Sequence, residues 1–192
     1  HCFGQKIEPI YVCSKKLENP YGMCAHFTFT DKKADNTTLE QQSKMLHELG
    51  CNFVRSDLTY YMVNNSNSAI LDKTLRILKV NSLGFLGIAT DPRFFQRTWD
   101  SNDKLSQLFK IIQKHYISSL PFIEFQNEVN FSKIPYLGKH YIEDLQKLYR
   151  LKKSNRKTKI LFSGIADCNY EFLDSAMEYE AYKYFDIMNF HS

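Results

Sequence analysis

Residues 121–130 read PFIEFQNEVN: a proline, an apolar run, then an asparagine–glutamate pair. Pro121 restarts the chain after a helical stretch. Phe122, Ile123 and Phe125 then predict a buried strand with Glu124 in its middle. This strand ends on Asn127 and Glu128, where a turn residue or a further hydrophobe would be the usual ending. A polar pair there is either a surface ending or a place where chemistry is done. The endings of the neighbouring strands decide which.

Outward from this stretch, apolar β-rich runs alternate with helical periodicity. YGMCAHFTF (21–29), CNFVRSDL (51–58), FLGIAT (85–90), FIEFQN (122–127), KILFSGIA (159–166) and FDIMNFH (185–191) read as strands. Between them, 38–50 predicts a helix with Leu39, Met45, Leu46 and Leu49 on one stripe, and 69–84 one with Ile70, Leu71, Leu75 and Leu78 inward. Residues 104–118 present Leu105, Leu108, Ile111, Ile112 and Tyr116, and further helices are expected over 139–154 and about 170–182. Strand starts fall roughly 26–37 residues apart. That spacing suits successive βαβ units, in which each helix returns the chain in parallel.

The class is therefore α/β, and the choice lies between an open doubly wound sheet and a closed barrel. A doubly wound nucleotide fold shows a glycine-rich turn after its first strand. Here FTFTDKKADN (27–36) contains no glycine, and no phosphate-binding loop motif occurs elsewhere. Polar groups instead gather at the C-terminal ends of the strands: His26, Arg55 and Asp57, Asp91, Asn127 and Glu128, Asp167, and His191. In a TIM-type (β/α)8 barrel that end holds the active site. The expected fold is an incomplete barrel of about six βα units over residues 20–192, after a lead segment at 1–19.

Bulk properties exclude several classes. The net charge of +4 is modest, and only RLKKSNRKTK (150–159) is a basic cluster, so nucleic-acid binding is not expected. No apolar stretch approaches the roughly 20 residues of a membrane span. The chain begins at His1 rather than Met, and HCFGQ fits the end of a secretory signal, which predicts a secreted or periplasmic location. The five cysteines show no metal-ligand spacing, and neither metal nor cofactor is expected; a Cys24–Cys51 contact is conceivable.

The segment IEFQNEVN (123–130) resembles the Glu-x-x-Asn-Glu-Pro-Asn pattern of glycoside hydrolase clan A, family 39 in particular. GCNFVRSD (50–57) resembles that clan's second strand ending in Arg, YGMCAHF (21–27) its first strand, and FDIMNFHS (185–192) its sixth. The resemblance runs from about residue 20 to the end, with Val129 standing where the family has proline; this departure is expected to loosen the placing of Glu128. It implies a retaining glycosidase acting on a β-linked polysaccharide or oligosaccharide.

In such an enzyme one carboxylic acid protonates the leaving oxygen while a second carboxylate attacks the anomeric carbon. The resemblance makes Glu128 the acid and then the base, and Asn127 the hydrogen-bond partner of the sugar 2-hydroxyl. Arg55 would keep the nucleophile ionised; its alternative is a pairing with Asp57 or Glu124. His26 and His191 would donate to sugar hydroxyls or be satisfied core histidines. Trp99, beside Phe94 and Phe95, is either a stacking platform for a sugar ring or packing under its loop. Glu124, three residues before Asn127, is expected to face the helical layer and take no part in the chemistry.

The family's nucleophile stands on a seventh strand, to which no residue here corresponds. The 192 residues on their own are accordingly expected to lack full turnover, and the open sheet edges to favour self-association. A non-catalytic carbohydrate-binding or scaffold barrel is the rival reading.

Overall fold

β1 (Gly22–Cys24), β2 (Phe53–Leu58), β3 (Gly84–Ala89), β4 (Phe122–Phe125) and β5 (Lys159–Leu161) hydrogen-bond side by side in chain order, every pair parallel. Two further strands, β6 (Ile165–Ala166) and β7 (Phe190–His191), pair in parallel with each other. Single bridges join them to the sheet, from Asn127 to Gly164 and from Leu161 to Ile187. The computed structural model describes residues 11–12, 15–16, 22–25, 38–64, 68–90, 104–131, 138–152, 156–167 and 169–191.

A strand order that never reverses is the wall of a barrel. An open doubly wound sheet would turn back on itself at a switch point. The helices α1 (Leu39–Glu48), α3 (Ser68–Val80), α4 (Lys104–Ile111), α5 (Gly138–Leu151) and α6 (Tyr170–Glu178) fall between successive strands, as each parallel crossover requires. A short α2 (Tyr60–Val63) follows β2, and α4 runs on into a π-turn at Ile112–Tyr116; periodicity predicted neither irregularity. Within the expected lead segment, Tyr11–Val12 and Lys15–Lys16 form a small antiparallel pair.

Local chemistry sets the helix ends. At α1, Thr38 Oγ1 accepts from the Gln41 amide at 3.2 Å, and Gln41 Oε1 accepts from the Thr38 amide at 2.8 Å, a reciprocal capping box. Gly50 follows the helix at φ 80°, a left-handed position that glycine takes without strain. The buried stripes differ from those expected. In α1 the core receives Leu39, Ser43 and Leu46, while Met45 and Leu49 are exposed. In α3 it receives Leu71, Thr74, Ile77 and Leu78, and Ile70 points out. Each helix presents a stripe about 100° wide, and the apolar residues flanking it lie beyond its edge.

Two apolar layers result. The larger lies between sheet and helices and includes Val54, Leu58, Ile123, Phe125 and Phe162; the smaller, on the concave side, joins Leu86, Phe122 and Leu161 with Phe53 and Ile187. Tyr141 on α5 sits fully buried in the outer layer against Phe125, Phe162 and Phe172. Its hydroxyl accepts from the Ser163 amide at 2.8 Å and donates to the Phe125 carbonyl at 3.4 Å. Burial pushes the Tyr141 pKa well above its ordinary value, the Glu124 charge adding to the rise.

A raised phenol pKa favours the folded state while Tyr141 stays neutral. That contribution is whole below the unfolded value, about 10, and is lost as pH climbs from there towards the folded value. Tyr141→Phe, which orphans the Ser163 amide, is expected to cost about 1–2 kcal/mol near neutral pH and to flatten the alkaline fall in stability. Chemical denaturation at pH 7 and above pH 10 measures both effects.

The last two expected strands are broken. KILFSGIA is extended at both ends and interrupted at Phe162–Gly164, where the Phe162 amide donates to the Ile187 carbonyl at 2.9 Å. FDIMNFH is a strand only at Phe190–His191; before it, the Asp186 and Ile187 amides both donate to the Ile160 carbonyl, and the Asp186 carboxylate accepts from the Ile160 amide at 2.8 Å and pairs with Lys152. Cys24 is exposed and Cys51 buried, and both are free thiols, so the conceivable pairing between them does not form.

Candidate active site

Among the described residues at the C-terminal mouth of the strands, Arg55 gathers Glu124, Asn127, Cys24 and His191 around it. Its guanidinium grips Glu124 with two bonds, Nε to Oε2 at 2.7 Å and Nη2 to Oε1 at 2.8 Å. Nη2 also donates to Asn127 Oδ1 at 2.7 Å, and Nη1 approaches Cys24 Sγ at 3.6 Å. The Glu124 side chain is 0% exposed and that of Arg55 18%. Glu124 Oε1 accepts a further bond from the Gly164 amide at 3.1 Å, so the buried carboxylate is well satisfied. Burial works against the charged guanidinium, but the Glu124 carboxylate more than offsets it, and the Arg55 pKa rises.

Glu124 therefore faces the concave side and not the helical layer. Side chains do not alternate from Glu124 through to Asn127, because strand geometry stops at Gln126, which adopts φ 63°. This left-handed residue turns the chain, and Glu124 and Asn127, three positions apart, meet the same guanidinium. Glu128 is left-handed too, at φ 48°, and its amide donates to the Gly164 carbonyl at 2.8 Å. Of the other non-glycine residues with positive φ, Asp167 follows β6 while Ser82 and Glu180 lie just past helix ends. Backbone strain of this kind, costing on the order of 1–3 kcal/mol per residue, gathers where surrounding structure over-determines a functional geometry.

Val129, in place of the family's proline, is 2% exposed and opens a 3-10 turn, and the following Asn130 bridges both polar atoms of Ala166, donating to its carbonyl at 2.6 Å and accepting from its amide at 3.1 Å. The Asn-Glu pair is thus clamped between Arg55 below and β6 beside it.

Glu128 keeps access to solvent, with 38% of its side chain exposed. Its Oε1 lies 2.8 Å from His191 Nδ1, and His191 Nε2 lies 3.4 Å from Arg55 Nη2. An ionised carboxylate has only lone pairs to offer, so against the Glu128 carboxylate it is His191 Nδ1–H that donates; both hydrogens of Arg55 Nη2 are already spent on Glu124 and Asn127, which leaves Nε2 in close contact with the guanidinium and without a hydrogen from it. His191 thus holds Glu128 through Nδ1 and packs its other ring nitrogen beside the Arg55 guanidinium. The ring fits only because residue 164 is glycine, where an added Cβ would stand 2.1 Å from Nε2.

Sequence reading thus named Arg55, Asn127, Glu128 and His191, and the fold gathers all four. His26, Trp99, Phe94, Phe95 and Asp91 lie outside the described residues. Glu124 appears in the sequence reading only as an alternative partner of Arg55, the pairing the structure shows, and on the wrong face of the strand; Gln126 and Gly164 do not appear as site residues, and the one signal for Gly164 is an isolated glycine in KILFSGIA. Among the described residues no group of three or more His, Cys, Asp or Glu is placed to hold a metal ion, and no helix is long and apolar enough to cross a membrane.

A parallel wall with helices outside and its polar groups at the carboxyl mouth defines a partial TIM-type (β/α)8 barrel. Solved structures share this fold. The chain is similar to an endo-laminarinase from Formosa Hel1_33_131, at 14% identity and TM-score 0.59 over 89% of this chain and 49% of that one. It is similar also to a beta-galactosidase from the psychrophilic Marinomonas ef1, at 9% and 0.63 over 89% and 40%. An endoglucanase from the hyperthermophilic Thermotoga maritima matches at 14% and 0.51 over 71% and 47%. The chain spans half or less of each of these structures, and at such identities the likeness is one of fold. No family model matches the chain, and no curated protein does.

Proposed function

We propose that this chain carries the acid/base half of a retaining glycoside hydrolase of clan A type, acting on a β-linked polysaccharide or oligosaccharide. One observation carries the reading: a carboxyl group with access to solvent, Glu128, is fixed at the end of β4 beside an asparagine locked by a buried Arg–Glu pair. The glycosidase names borne by the neighbouring structures support it.

In the first step the protonated Glu128 gives its proton to the departing glycosidic oxygen as a second carboxylate bonds to the anomeric carbon. In the second step Glu128, now a carboxylate, takes a proton from the water that displaces that ester. Asn127, its Oδ1 occupied by Arg55, is left with its amide hydrogens to donate to the sugar 2-hydroxyl. The resemblance puts the second carboxylate on a seventh strand, outside these 192 residues. His191 steadies Glu128 and leaves its second oxygen free. Proton NMR of the first product released by the full-length protein from a β-glycan tests the reading. The β-anomer is expected to appear first, and initial release of the α-anomer would refute a retaining double displacement.

A further inference from the structure

Gln126 combines two costs, and the turn it makes accounts only for the first. Its backbone is left-handed at φ 63°, and its side chain, in a residue 1% exposed, has an amide nitrogen with no hydrogen-bond partner. A buried donor left unpaired costs about 1–3 kcal/mol, and such groups in native proteins call for a reason.

Its position supplies one. Leu86 belongs to the concave layer and Ala89 to the helical layer, so alternation along β3 returns Thr90 to the concave side at the mouth. Thr90 Oγ1 donates to Gln126 Oε1 at 2.8 Å, and the Gln126 backbone N–H donates to the Ala89 carbonyl at 3.1 Å. The pair thus sits beside Asn127 and Glu128. Just beneath the surface there, the carboxamide holds two unpaired N–H donors next to the lone pairs of the Thr90 hydroxyl. Were the carboxamide turned over, it would still present one donor and one acceptor. A sugar hydroxyl both donates and accepts, and matches that set.

Resting on the glycosidase reading above, we propose that Gln126, oriented by Thr90, is a specificity-determining residue that hydrogen-bonds one hydroxyl of the sugar bound next to Glu128. The test uses the full-length protein, wild type and Gln126→Leu, with p-nitrophenyl β-glucoside, β-xyloside and β-galactoside, and then the monodeoxy forms of the best of these. Turnover is read as kcat/KM and binding by calorimetry. Wild type is expected to lose about 10- to 100-fold on one particular deoxy sugar. Gln126→Leu should lose as much on the parent glycoside and nothing further on that deoxy sugar, while penalties for the other hydroxyls persist.

Penalties that multiply for every deoxy sugar would overturn the proposal and leave the glycosidase reading standing. So would an unchanged profile in a variant of higher Tm, the sign of a structural or water-bound amide. Wild type that binds and cleaves none of the panel would overturn both.

Discussion

Replacing Glu128 by Gln in the full-length protein is expected to lower turnover of glycosides with poor leaving groups by about 10²–10⁴-fold. The amide keeps the shape of the side chain and its contact with His191 Nδ1–H, but has no proton to transfer to the leaving oxygen. Activated aryl glycosides, whose leaving groups need no protonation, should suffer much less in the first step and accumulate the glycosyl ester, seen as a burst. A sugar-binding barrel without catalysis would show no such split, and its affinity would be nearly untouched. Measuring kcat against leaving-group pKa in both proteins separates the two outcomes.

The largest stability effect is expected at Glu124. Its carboxylate is fully buried and holds Arg55 with two bonds and Gly164 with a third. Glu124→Leu leaves a partly buried guanidinium uncompensated, a change that costs about 3–5 kcal/mol and lowers the Tm by on the order of 10 °C in a domain of this size. The double variant Arg55→Met/Glu124→Leu removes both charges and should recover a large part of the loss, since the penalty belongs to the orphaned partner rather than to the pair. Full additivity of the two single losses would mean that the charges are not coupled. Asn127 loses its acceptor contact in the double variant, so turnover should stay depressed even where stability returns.

These two residues also mark how far the sequence could be read. The strand–helix rhythm, its lengths and the polar strand endings follow from hydrophobic periodicity, and they sufficed for the barrel. The Asn-Glu pair, Arg55 and His191 were legible because each is a polar residue where an apolar run stops. Glu124 was misplaced because alternation holds only while backbone angles stay extended, and nothing in FQNE announces that Gln126 and Glu128 are left-handed. The partnership of His191 with Glu128 was out of reach for another reason: it joins residues 63 positions apart through space that only a glycine at position 164 leaves open. The helical stripes were wrong by single positions, as at Met45 and Ile70, where an apolar residue lies one step outside the buried arc.

Azide addition to a Glu128→Ala variant of the full-length protein tests the central claim most directly. Without its carboxylate, the variant cannot deprotonate the water of the second step, whereas azide is already an anion and needs no base. The account predicts that azide accelerates turnover of an activated aryl β-glycoside about tenfold or more and yields a glycosyl azide of β configuration. A variant that hydrolyses at the wild-type rate, or one slowed but indifferent to azide with no azide product, would contradict it.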